Sequence, residues 1–179
     1  MKNTRLLFIM LKKIKFKSFY LIFLSLILIF SLNFIKISFL EIIDYQADKT
    51  ILAEKVDNGD QFSLKYLHSV ARTPVIEFFK IKDQKILLTG TEYQSYGAGL
   101  PTSNNLGDYI LKDNKFIIQN IDQVLPEIML RVSNYAQTEF IYNQKTYKLF
   151  KLAKNETLFQ IKIKKISYLS FILRRYYNG

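Results

Sequence analysis

The chain has 179 residues, no cysteine and a formal net charge of +11. The missing cysteines exclude disulfides, thiolate metal sites and a cysteine nucleophile, and a composition that is 49% hydrophobic and 15% aromatic excludes a disordered chain. The positive charge sits at the ends: residues 1–35 carry six Lys/Arg and no acid, residues 36–144 carry eleven Lys/Arg against fourteen Asp/Glu, and residues 145–179 carry nine Lys/Arg against one Glu. That partition, with no signature of a nucleic-acid module, speaks against nucleic acid as a partner.

Residues 1–18 read as a basic cytoplasmic leader, with Lys2, Arg5, Lys12, Lys13, Lys15 and Lys17. An apolar run follows from Phe19 to Ile35, interrupted only by Ser25, Ser31 and Asn33, whose polar groups can bond back to helix carbonyls. Extended to Leu40 with Lys36 snorkelling, a helix at about 1.5 Å per residue reaches roughly 33 Å, enough to span a bilayer. Residues 19–40 are therefore expected to be a single-pass transmembrane signal anchor. Positive charge ahead of the run keeps the N-terminus in the cytoplasm and sends the rest outside the plasma membrane. No small-residue cleavage site follows, which favours an uncleaved anchor over a signal peptide.

Residues 41–179 read as one β-rich outer domain. Short runs rich in Ile, Val, Tyr, Phe and Thr predict strands at 50–56, 61–70, 74–82, 85–93, 108–112, 115–119, 127–133, 138–142, 145–151 and 157–164. Turn residues separate them at Asp57–Asp60, Asp83-Gln84, Asp113-Asn114, Asn143-Gln144 and Lys154-Asn155, and Asp113-Asn114 reads as a two-residue hairpin. Many short strands without intervening helices predict an all-β sandwich or barrel-like domain after one N-terminal transmembrane helix. Residues 166–179 read either as a last basic edge strand or as a short amphipathic helix with Ile166, Leu169, Leu173 and Tyr177 on one side, flanked by Lys and Arg and suited to an anionic lipid surface.

His68 is the only histidine. A two-residue turn at Ala71-Arg72 would pair Val70 with Thr73, set Tyr66 opposite Glu77 and His68 opposite Val75, and make His68 and Glu77 diagonal neighbours on one face. An otherwise apolar face holding Tyr66, His68 and Glu77 is either a ligand-gripping or acid/base network, or a satisfied polar cluster that pins the hairpin. Ser69 points to the opposite face from His68 and is no catalytic partner by adjacency. One His and no Cys leave no metal-ligand spacing, and no cofactor is expected.

The second candidate is the fourteen-residue loop 95–108, SYGAGLPTSNNLGD. Gly97 and Gly99 permit close approach of another group, Pro101 fixes a turn, and Tyr96 offers a hydroxyl. It lacks the third glycine and the following helix of a dinucleotide fingerprint.

The segments FSLKYLHSVARTPVIEFFKI and TEYQSYGAGLP together resemble the uncharacterised bacterial family domain of unknown function 1850. The matching positions are Tyr66, His68, Ser69, Val70, Pro74, Val75, Glu77, Gly97, Ala98, Gly99, Leu100 and Pro101, spread from Asp60 to Pro101. The resemblance implies no reaction. It implies a small exported or tethered protein associated with tripartite ATP-independent periplasmic transporters, hence a permease as partner besides the lipid bilayer. Three functions follow in order of expectation: a non-enzymatic accessory or solute-binding module of such a transporter, an envelope structural or interaction protein without ligand, and an extracytoplasmic enzyme using His68 and Glu77.

Overall fold

The computed structural model describes residues 19–95 and 107–177. The larger of its two compact units is Ser38–Lys164; the other comprises the described parts of Met1–Ile37 and Lys165–Gly179.

In the smaller unit, residues 19–31 are helical (α1) with their apolar side chains exposed. Ser25 and Ser31 each donate to the carbonyl three residues back, Ile22 and Leu28, at 2.7 Å, so their hydroxyls are satisfied by the helix itself. The expected continuation to Leu40 does not occur: the chain turns through 32–35 and enters a strand at Lys36. Among the described residues no helix is long and apolar enough to cross a membrane. The C-terminal tail resolves as a helix, α2 (Tyr168–Tyr177), after a strand that runs on to Ser167.

Eleven strands occur among the described residues: β1 (Lys36–Asp44), β2 (Lys49–Val56), β3 (Gln61–Leu67), β4 (Pro74–Lys82), β5 (Lys85–Tyr93), β6 (Asp108–Lys112), β7 (Lys115–Leu125), β8 (Ile128–Arg131), β9 (Glu139–Tyr142), β10 (Lys145–Lys148) and β11 (Leu158–Ser167). Ten lie where β patterning predicts strands. β1 does not; its KISFLEIID sequence lacks apolar–polar alternation because Leu40 to Ile43 are buried in succession.

Three tight hairpins follow from their turn pairs. Asp83-Gln84, Asp113-Asn114 and Asn143-Gln144 all have positive φ at both positions, the geometry whose twist matches paired strands. They close the pairs Lys82↔Lys85, Lys112↔Lys115 and Tyr142↔Lys145.

The strands form a four-stranded sheet, β2-β1-β11-β8, and a seven-stranded sheet, β10-β9-β3-β4-β5-β7-β6. Tyr45 N donates to Leu158 O at 2.9 Å where the first strand meets the last. The sheets bury one another's inner faces. Leu40, Ile42, Val56, Phe159 and Ile161 of the smaller sheet pack against Phe62, Leu64, Phe79, Ile81 and Phe140 of the larger. The architecture is thus a sandwich, with Phe62 stacked on Phe79 at 4.9 Å between ring centroids. Tyr142 Oη bridges the layers, lying 2.9 Å from Lys55 O on β2 and 2.7 Å from Asp60 Oδ2.

A second apolar cluster, Val75, Tyr93, Ile118 and Ile121 with Tyr66, Tyr109 and Phe116 against it, occupies the other end of the larger sheet. Register shifts between Phe78 and Phe79 and between Leu88 and Gly90 divide the sheet between the two clusters. Bulges of this kind bend a strand and increase its twist.

Candidate functional site

The β3–β4 hairpin carries most of the candidate residues, and its register differs from the expected one. Pairing ends at Leu67↔Pro74, with Tyr66 opposite Val75 and Leu64 opposite Glu77. The connection is the six-residue segment 68–73 rather than two residues. Two local causes act together. Pro74 has no N–H to extend the ladder, and the His68 ring caps the turn, Nδ1 accepting from Val70 N at 3.3 Å and Ala71 N at 3.1 Å. His68 N donates to Thr73 O, Arg72 N donates to His68 O, and Arg72 takes the left-handed conformation at φ 54.

The register is displaced by two residues, and an even displacement leaves every side chain on its expected face. Tyr66 and Glu77 therefore still share the inner face, now as diagonal neighbours, and Tyr66 Oη donates to Glu77 Oε1 at 3.4 Å. His68 and Glu77 do not form the expected pair. His68 sits opposite Thr73, four ladder positions from Leu64 and Glu77, which is roughly 13 Å along the strand. Acid/base cooperation between these two side chains has no geometric support.

Glu77 faces the buried Thr91 across β4–β5, with Tyr93 at the next inner position opposite Val75. Burial raises its carboxyl above the usual carboxylate range, and the Tyr66 hydrogen bond offsets only part of that. The same burial, with the Glu77 charge beside it, raises the Tyr66 phenol far above its ordinary value. Thr73 and Ser95 hydroxyls lie 2.9 Å apart, so the described end of the glycine-containing loop is held at the His68 turn.

A cleft of about 610 Å³ opens beside this hairpin, lined by Tyr66, His68, Ser69, Arg131, Tyr135 and Thr138 among others. A smaller one of about 240 Å³ shares Tyr66, Leu67 and Ala136 with it. With its Nδ1 accepting two backbone N–H groups, the neutral His68 ring carries its proton on Nε2, which makes that nitrogen a donor. Arg131 is tied to the Glu156 carbonyl at 2.7 Å, and Tyr135 Oη reaches the Ser69 carbonyl at 3.4 Å. Thr138 is fully buried, yet its hydroxyl has no partner among the described residues.

Residues 62–149 match the model of the family Domain of unknown function (DUF1850). The matched stretch takes in nearly the whole seven-stranded sheet and β8, whereas β1, β2 and β11 lie outside it. The resemblance thus reaches well past the Asp60–Pro101 motifs that carry it in the sequence. No curated protein and no solved structure matches the chain.

Of the DUF1850-like positions, the fold brings Tyr66, His68 and Ser69 to the cleft and Glu77 to the face beside it. Tyr96, Gly97, Gly99 and Pro101 lie outside the described residues. Arg131, Tyr135 and Thr138 were not legible as site residues. They lie far along the chain and reach the cleft only because β9 pairs with β3 and β8 with β11.

Proposed function

We propose that the chain is a membrane-tethered, extracytoplasmic binding module for a small polar solute, acting as an accessory to a transporter. The carrying observation is the cleft beside the His68 turn, whose lining includes Tyr66, His68, Ser69 and Thr138, the last with a buried hydroxyl that has no partner among the described residues. A buried hydroxyl left unpaired costs about 1–3 kcal/mol, a cost that an incoming polar ligand would relieve. The transporter as partner rests on the DUF1850 resemblance alone.

Tethering is supported by the apolar run Phe19–Ile35, by the exposed side chains of α1, and by six cations with no acid ahead of it. The thirteen described helical residues reach about 20 Å at 1.5 Å each, so the proposal requires residues on either side to share the bilayer. Protease added outside intact cells should remove the β domain from a C-terminally tagged chain. An intact tag would refute the topology.

Binding is tested by thermal unfolding of the detergent-solubilised full chain against a panel of sugars, amino acids and organic acids. A productive solute raises the midpoint of the wild type and leaves Thr138→Val unmoved. Equal shifts in both proteins would show that binding occurs elsewhere.

A second reading draws on a different observation. The His68 ring is engaged in capping its own turn, as expected of a structural or interaction protein of the envelope. On that reading no solute shifts the midpoint.

A further inference from the structure

The C-terminal helix is not absorbed by the binding site, and its chemistry is specific. We propose that α2 lies flat on the outer surface of the bilayer, its apolar edge at the acyl boundary and its cations against anionic lipid phosphates. The inference rests on the tethering reading and extends it from one point of attachment to two.

The sequence forms this helix for a local reason. Ser167 ends β11, and its hydroxyl accepts from Ser170 N at 3.1 Å, an N-cap bond that satisfies one of the free donors of the first turn. Ten residues at 1.5 Å make about 15 Å, half of what a spanning helix requires. The helix can lie on a bilayer but cannot cross one.

Its first residue is tied to the end of the proposed anchor: Tyr168 N donates to Ile35 O at 2.8 Å. If the apolar run enters the bilayer up to Ile35, α2 starts at the depth where that run emerges. Phe34 and Ile35 are 71% and 53% exposed, and Tyr168, Ile172 and Leu173 on α2 are 37%, 41% and 48% exposed. Positions 168 and 172 are one helical turn apart and share a side. All five exposed apolar side chains belong to a single compact unit.

The charge fits only one kind of surface. Residues 157–179 contain no acid, and Lys165, Arg174 and Arg175 flank or follow the apolar positions, with Lys36 beside Ile35. Lys164 is engaged with Glu41 at 3.3 Å and is left out of the count. An apolar edge bordered by cations, in a stretch of sequence without acids, matches an anionic lipid interface, where acyl contact and phosphate contact are available together.

The absence of cysteine makes the test direct, since one introduced thiol is the sole labelling site. Full-length Ile172→Cys carrying a polarity-sensitive fluorophore is incorporated into vesicles with and without phosphatidylglycerol, and Lys112→Cys on the β domain serves as reference. In phosphatidylglycerol vesicles, lipid-borne nitroxides should quench the Ile172 label about threefold more than the Lys112 label, with a smaller difference in purely zwitterionic vesicles. Arg174→Glu with Arg175→Glu should bring the first value down to the second. Equal quenching of both labels in a chain that still floats with the vesicles after a carbonate wash overturns the proposal and leaves the anchor standing. Self-quenching between Ile172 labels that grows with protein density would place a second copy on this face and also overturns it. A chain that fails to float removes the anchor and this inference together.

Discussion

Replacing Thr138 by valine should make the protein more stable while silencing its cleft. Threonine and valine are both β-branched and nearly equal in size, so the substitution keeps the rotamer restriction and trades one hydroxyl for one methyl. Thr138 is fully buried, its carbonyl accepts from Leu149 N at 2.9 Å, and its hydroxyl has no partner among the described residues. Removing an unpaired buried hydroxyl recovers about 1–2 kcal/mol of the 1–3 kcal/mol that such a group costs. For a unit of this size each kcal/mol moves the unfolding midpoint by about 3–5 °C, so the expected rise is roughly 3–10 °C. Thermal unfolding of the detergent-solubilised full chain, followed by the β-sheet circular dichroism signal, reads it. Thr138→Ala controls for the methyl groups: it lacks both γ carbons of valine and should be about 2 kcal/mol less stable than Thr138→Val. A midpoint for Thr138→Val that falls by 1 kcal/mol or more would mean the hydroxyl is already satisfied, and the argument that it waits for a ligand would be wrong.

Four further outcomes follow from the same geometry. Gly107→Ala drives a Cβ into the Gln119 carbonyl oxygen, a backbone atom that cannot swing away; a loss of about 1–3 kcal/mol and faster amide exchange along β6 are expected, and wild-type exchange there would contradict the packing. Glu77 binds its proton more tightly folded than unfolded, so the stability contributed by that proton is complete below the ordinary value of 4.5 and is lost as pH rises through the raised folded value; Glu77→Gln should lack this decline in chemical denaturation series, and parallel pH profiles would rule the reasoning out. Tyr142→Phe removes the hydroxyl that reaches Asp60 and the Lys55 carbonyl across the layers, at about 1–3 kcal/mol because one partner is a carboxylate, read from the urea midpoint. His68→Ala deprives Val70 and Ala71 of their acceptor; hydrogen exchange should quicken at those two amides, with a global loss of about 1 kcal/mol, whereas unchanged exchange would show that the ring does not hold the turn.

Much of the sandwich was readable because its hairpins are locally encoded. Asp83-Gln84, Asp113-Asn114 and Asn143-Gln144 each set their own register through left-handed backbone angles, and the apolar alternation on either side agrees with them. β1 escaped because its consecutive buried residues continue an apolar run and carry no period of two. The His68 turn has six residues where the sequence pattern predicts two, which displaces the register by two, since an imidazole acting as backbone acceptor leaves no composition signal. Tyr66 and Glu77 nevertheless stay on one face, as diagonal neighbours instead of a direct pair, because alternation forgives even displacements and not odd ones. The cleft itself was not readable: Thr138 sits 70 residues after His68, and nothing in its local sequence marks a buried hydroxyl without a partner among the described residues. Ser167 did carry a capping signal, which would have decided the tail in favour of a helix at Tyr168.

The pairing of β1 with β11 has a consequence for how the protein comes into being. Strand β1 has its inner neighbour, β11, more than a hundred positions later in the chain. Until that final strand arrives, the smaller sheet lacks its middle and the larger one has an apolar face with no lid. Contacts of such long sequence separation are slow to form, so the smaller sheet is expected to complete late, after the local hairpins of the larger one have closed.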